Sequence, residues 1–219
     1  MQKFTKNFFL LVLFESVLLS SAYTQDAVEG RWKGEIGFSK MSLSLKSSMR
    51  SDEGRWDMSF SEDILRKEFK GLEAAMKGAA GAEFELPREA GTFTFKGEFR
   101  NDRGSGDFKF TVNPDFSKNM KALGYNKIAV DRIFHLAISD VGTAFVKELQ
   151  AAGYNKLSID QLVQMVIHGV TPAFIKEMSE LGYKNLSIDQ FVQLRIHGVD
   201  ADYVREMNAA LQSSGKNKK

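Results

Sequence analysis

The chain contains no cysteine, so disulfides, thiolate metal sites and cysteine nucleophiles are excluded at once. It has almost no net charge, with 30 basic against 28 acidic side chains, and the basic residues are scattered singly. That removes the electrostatic case for binding nucleic acid or an anionic membrane surface. Histidine is scarce too. His135, His168 and His197 are the only three, and no HExxH metallopeptidase motif occurs. GSGD at 104–107 is a glycine turn, because neither the lysine nor the helix of a phosphate loop follows it. No cofactor or metal is implied. What is present is 219 residues, 43% hydrophobic and 26% charged, which suits one to two folded domains.

One apolar run stands at the start, in MQKFTKNFFLLVLFESVLLSSA. Lys3 and Lys6 precede a run from Phe8 to Leu19, and Ser20 and Ala22 stand at the −3 and −1 positions of a cleavage site. The run is short for a membrane span. Residues 1–22 therefore read as a signal peptide, with the mature chain starting near Tyr23 and located in a bacterial periplasm or secreted. Glu15 opposes insertion and leaves an uncleaved anchor or an amphipathic helix as alternatives.

From 28 to 113 the apolar residues alternate, as in strands with one buried face. Trp32, Ile36 and Phe38 form the first such set, Met41, Leu43 and Leu45 the second, and Trp56, Met58 and Phe60 the third. Phe84 with Leu86, then Phe93, Phe95 and Phe99, then Phe108, Phe110 and Val112 complete six strands. The connections are short, with turns expected at Pro87–Gly91 and Asn101–Gly106, so an antiparallel meander is expected. Gly97 marks a bulge or a close backbone approach. Leu65, Phe69, Leu72 and Met76 are spaced for a helix from about 62 to 76 on the open apolar face. The same six strands could instead curl into a small barrel around an apolar ligand. EGRW occurs at 29–32 and again at 53–56, both placing tryptophan inward.

The segment 114–212 repeats itself every 29 residues. Phe116, Phe145, Phe174 and Tyr203 keep that step, as do Gly124, Gly153 and Gly182, each followed by tyrosine. Residues 145–170 and 174–199 share 16 identities in 26 positions, and 116–141 shares 10 in 26 with the former. Each unit reads as two short helices. Thr171 caps the first helix of the third unit and Pro172 follows at N1. Ser158 and Ser187, with glutamine three residues on, open the second helices as capping boxes. Gly169 and Gly198 close them in the HGV phrase, which makes His168 and His197 helix punctuation rather than metal ligands. A final helix is expected from Asp200 to Leu211, before a polar tail at 213–219. The fold class is therefore α+β: an antiparallel sheet of about six strands plus one helix over 28–113, then a short α-solenoid of two-helix repeats over 114–212.

The cadence LGY…LS-x-D-x-x-V…HGV-T-P-x-F-I-K-E, preceded by REAGTFTFKGEF and GSGDFKF, resembles helical repeats of exported bacterial proteins of largely unassigned function. Such repeats are also appended to metallopeptidases of the β-lactam-sensor type, whose peptidase motif this chain lacks. The resemblance implies architecture and an envelope location.

Three functions compete. The first is a non-enzymatic scaffold that binds a protein or peptide of the cell envelope through polar positions recurring in the repeats. Lys147, Gln164, Val166, Lys176, Gln193 and Arg195 are the candidate contacts. The second is binding of lipid or another small apolar ligand by the β region. The third is a hydrolase using carboxylates among Asp57, Glu83, Glu85, Glu98 and Asp107. Because Asn113-Pro114 leaves no linker, a rigid junction between the halves is expected.

Overall fold

The computed structural model describes residues 27–51, 54–78 and 81–216. The signal-like segment 1–22, the side chain of Trp56 and residues 217–219 lie outside what it describes. The chain is α+β: a six-stranded antiparallel sheet followed by helices.

The strands are β1 (Ala27–Ile36), β2 (Lys40–Ser51), β3 (Gly54–Leu65), β4 (Ala82–Arg88), β5 (Gly91–Arg100) and β6 (Arg103–Val112). Their order is β3-β2-β1-β6-β5-β4. This is not one continuous meander. Two three-stranded meanders join where β1 pairs with β6, Trp32 opposite Gly106, which leaves β3 and β4 as edges. The sheet is thus open rather than a closed barrel, although it coils strongly. Gly97 faces Gly106 and Gly34 faces Gly104 across neighbouring strands, so no bulge interrupts the ladder at Gly97. Trp32 fills the space that Gly34 and Gly104 leave, whereas Gly97 and Gly106 allow their two backbones to approach. A Cβ on Gly104 would stand 2.6 Å from its ring. Its indole N–H donates to the Lys96 carbonyl at 3.1 Å, and its ring meets Phe84 edge-on at 5.1 Å although two strands lie between β1 and β4.

Three local expectations need correction. The helix expected at 62–76 is mostly absent. β3 continues to Leu65, with Ile64 opposite Met41, and a 3-10 turn at Arg66–Glu68 follows. Only α1 (Leu72–Lys77) is helical, after Gly71 at φ 79°. The helix-like spacing arose by chance where the last residue of a strand, Leu65, and buried Phe69 after the turn precede Leu72 and Met76 of a short helix. Phe38 does not point inward: it is 101% exposed, because the hairpin turns there and alternation lapses. The turns are also tighter than expected, so that Pro87 lies within edge strand β4 and Gly104 and Gly106 lie within β6.

The helices are α2 (Pro114–Ala122), α3 (Val130–Ile138), α4 (Thr143–Ala151), α5 (Ile159–Ile167), α6 (Pro172–Glu180), α7 (Ile188–Ile196) and α8 (Ala201–Lys216). α2 packs on α4, α4 on α6 and α6 on α8, while α3 packs on α5 and α5 on α7. Nine residues span only about 13 Å and form a marginal helix alone, so end groups and packing decide. Gly124, Gly153, Gly169, Gly182 and Gly198 all adopt positive φ at helix ends. At each, the following residue donates to a carbonyl five back, as in Tyr183 to Met178 at 2.9 Å and Val170 to Met165 at 2.7 Å. Asp140, at φ 55°, takes the glycine's place in the first unit. Ser158 and Ser187 form capping boxes with Gln161 and Gln190, and Thr171 accepts from the Phe174 N–H. A second left-handed residue recurs between paired helices at Lys127, Lys156 and Asn185. α8 runs past Leu211 to Lys216, so most of the expected polar tail is helical.

Polar ties also join each unit to the next. Gln150 donates to the Leu123 carbonyl, the Tyr154 hydroxyl to the Leu186 carbonyl, and Arg132 pairs with Asp160. The sheet is tied to the helices through the β4–β5 turn. The Glu89 carboxylate accepts from both the N–H and the hydroxyl of Thr143, at 2.9 and 2.5 Å, and so caps α4 from outside the helix. Arg88, its side chain only 8% exposed, pairs with Glu68 at 2.7 Å and lies 3.5 Å from Asp140. Asn113 donates to the Glu89 carbonyl and caps α2 by accepting from the Asp115 N–H. Buried apolar residues from Val28 to Val204 form one cluster across this junction.

Candidate interaction surface

The six candidate contacts do not form one patch. Lys147 on α4 and Lys176 on α6 are exposed on one row of helices. Gln164 on α5 and Gln193 on α7 are exposed on the other row. Val166 is half-buried. Arg195 is engaged within the chain: its Nε donates to the His168 carbonyl at 3.2 Å and its guanidinium sits 5.1 Å over the Phe174 ring. This holds the third unit to the second and removes Arg195 as a free contact. His168 occupies the C-cap of α5, where its Nε2 is 3.1 Å from the Gln164 side-chain oxygen. Among the described residues, no group of three or more His, Asp or Glu could hold a metal ion.

The row α3, α5, α7 carries a feature that polar recurrence alone did not reveal. Asp160, Gln164 and Ile167 are all exposed on α5, at i, i+4 and i+7, and therefore share one face. Asp189, Gln193 and Ile196 repeat that face on α7. Ile167 is 52% exposed and Ile196 51%. One period earlier the same positions are Asp131, His135 and Ile138 on α3, and there the last two are covered. Ile138 is 5% exposed, and His135 packs its ring 4.9 Å from Phe60 of β3. Next to them Phe134 enters the hollow of the sheet, edge-on to Phe93 at 5.2 Å and Phe110 at 5.4 Å. Burial lowers the His135 pKa, although Asp131 and Asp160 oppose the shift.

The covered and open parts of this face meet at a recess of about 270 Å³ where β3 approaches α5. Ile64, Ile138, Val166 and Ile167 supply its apolar lining. Glu62 lies on the inward face of edge strand β3, and burial, reinforced by Asp63, raises its pKa. An inward charge of this kind discourages casual strand addition along an exposed edge. The sequence signal for the face was the isoleucine before each HGV, which lies off the buried stripe of its helix.

The other candidate sites look different. Asp57, Glu83, Glu85, Glu98 and Asp107 are all exposed on the outer side of the sheet. Several meet cations, Arg31–Asp107 at 2.8 Å and Lys96–Glu83 at 3.4 Å across strands and Arg100–Glu98 at 3.1 Å along β5. The inner side of the sheet is filled by Trp32, Phe84, Phe93, Phe95, Phe110 and Phe134. No helix among the described residues is long and apolar enough to cross a membrane. Comparisons with protein-family models, curated proteins and solved structures find no match to this chain.

Proposed function

We propose that α2 to α8 form a short α-solenoid of 29-residue, two-helix units, and that the protein is an exported, non-enzymatic scaffold. Its partner is a protein or peptide of the cell envelope, held on the face made by Asp160, Gln164 and Ile167 with Asp189, Gln193 and Ile196. One observation carries this: in the first unit His135 and Ile138 of the equivalent face are covered, His135 by Phe60 of β3, whereas units two and three leave theirs open. A face that buries protein in one copy of a repeat has the shape and chemistry to do so in the others. Two half-exposed isoleucines flanked by amide and carboxylate groups form an apolar centre with a polar rim, the usual anatomy of a recognition patch. Export rests on the N-terminal run with Lys3, Lys6 and the Ser20/Ala22 cleavage pattern, and on the resemblance of the repeats to those of envelope proteins.

A photoreactive amino acid placed at Ile167 or Ile196, in the producing cell, tests this reading. A discrete crosslinked partner is expected at both positions, and its loss in an Ile167→Glu/Ile196→Glu variant that still folds. Crosslinking no stronger than at Lys118, an exposed site on α2, would defeat the proposal.

A further inference from the structure

The recess of about 270 Å³ beside α5 has Ile167 in its wall, and its charges do not balance. Four carboxylates line it, those of Glu62, Asp63, Glu68 and Asp140, against one cation, Arg88. That cation is already engaged, because Glu68 pairs with it at 2.7 Å and Asp140 stands 3.5 Å from its Nε. Glu62 has no cation partner among the described residues, and Asp63 accepts only from the Ser42 hydroxyl, at 2.6 Å. The raised pKa of Glu62 is what a half-buried carboxyl without a counter-charge should show. A second group in the recess lacks a partner of the opposite kind. The Arg88 side chain is 8% exposed, and its buried Nε–H makes no hydrogen bond. A buried donor left unpaired is costly, and an incoming acceptor recovers that cost. The recess thus calls for a cation and an acceptor together. A metal ion would bring only the first, and among the described residues no three carboxylates are placed to hold one. A peptide brings both, since every residue carries a carbonyl and lysine or arginine carries the cation.

We infer that the occupant of the α5 and α7 face is a basic peptide segment, which lays apolar side chains on Ile167 and Ile196 and extends a lysine or arginine into the recess beside Ile167. A main-chain carbonyl of the same segment accepts from Arg88 Nε. The inference rests on the reading of that face as a docking surface and names the chemistry of what docks. The rest of the face agrees with it. Asp160 and Asp189 stand at equivalent places on α5 and α7, but only Asp160 is neutralised within the chain, by Arg132 of the preceding helix. One period on from Arg132 the residue is Gln161, and Asp189 has no cation partner among the described residues. The repeat has therefore kept the acid and dropped its guanidinium. Gln164 and Gln193 are neutral, so nothing on the face offsets Asp189. An acidic segment would meet like charge at both Asp189 and the recess, whereas a basic one meets opposite charge at each. In the recess, which is partly shielded from solvent, that attraction is screened less than on an open surface.

The test is fluorescence anisotropy of the purified, exported chain with three short labelled peptides. They share their isoleucines and differ in carrying lysine, glutamine or glutamate between them. The lysine peptide is expected to bind at least about tenfold more tightly than the glutamate peptide at low salt, or roughly 1.4 kcal/mol, and the difference shrinks as salt rises. Glu62→Gln with Asp63→Asn should remove most of that preference. Both changes keep the shape of the side chain, and asparagine keeps the acceptor for Ser42, so folding should stay intact. Glu85→Gln, at an exposed carboxylate on the outer side of β4, should leave the preference unchanged. Equal affinity for the three peptides overturns the inference. So does a preference that survives Glu62→Gln with Asp63→Asn, and so does the absence of lysine-peptide binding below about 1 mM. The docking face and its basic occupant fail separately: a neutral or acidic partner crosslinked at Ile167 and Ile196 keeps the face and overturns this inference.

Discussion

Replacing Glu89 by alanine perturbs the contact through which the sheet caps a helix. Its carboxylate accepts two hydrogen bonds from Thr143, at 2.9 Å from the N–H and 2.5 Å from the hydroxyl, and Thr143 is 7% exposed. Gly142 at the N-cap offers no side chain of its own. Hydrogen bonds to a charged group contribute about 1.5–3 kcal/mol each, and loss of a helix cap about 0.5–2. Because the two share one carboxylate and water can partly replace it, Glu89→Ala should cost about 3 kcal/mol. Glu89→Gln, which keeps one acceptor but turns an amide towards a donor, should cost about half as much. A double-mutant cycle with Thr143→Val isolates the contact and should give a coupling of about 1–2 kcal/mol. Urea unfolding followed by circular dichroism measures both, provided the slope is unchanged between variants. Arg31→Ala is the internal control. The Arg31–Asp107 pair is as short, at 2.8 Å, but its side chains are 69% and 71% exposed, so its loss should cost well under about 1 kcal/mol. If Glu89→Ala fell within about 0.5 kcal/mol of the parent, or the cycle showed no coupling, the external cap would not stabilise the junction.

Three further outcomes follow from the same structure. Burial holds His135 neutral by lowering its pKa, so its contribution is fully present above the ordinary value of 6.5. As pH falls below that value the unfolded chain takes up a proton that the folded chain resists, and stability is lost until the folded value is passed. Urea midpoints at about pH 7.5 and about pH 5.5 should therefore fall less steeply for His135→Phe than for the parent; equal slopes would contradict the burial account. Lys156 holds φ 61° where the third unit has Asn185 at φ 62°. Asparagine tolerates that conformation better, so Lys156→Asn should raise the thermal midpoint, by up to about 1 kcal/mol in stability. Gly182→Ala, at φ 102° with nothing within 4 Å of an added Cβ, should lower it by a similar amount from backbone conformation alone. A Gly182→Ala variant as stable as the parent would mean that the helix end does not depend on glycine.

The sequence by itself determined whatever is decided within about six residues of chain. The six strands were visible in their alternation, since side chains on a pleated strand point to opposite faces whatever the neighbouring strand is. The helix ends were visible as well, because a serine cap with its glutamine, or a glycine with its following tyrosine, satisfies orphan backbone groups locally. Tertiary structure decided the rest, because burial is a property of pairs of elements. That β1 would pair with β6 depended on residues 68 to 84 positions apart, and the helix-like run at 62–71 became strand and turn because its start met β2, 19 to 25 positions earlier. Related repeats acquired different fates for the same reason. Ile138 and Ile167 hold equivalent positions, but only Ile138 meets the sheet, and only Glu89, arriving from a β-turn, completes the cap that Gly142 lacks. Periodicity specifies which face of a helix is apolar, and the neighbour that reaches it decides whether that face becomes core or stays open to a partner.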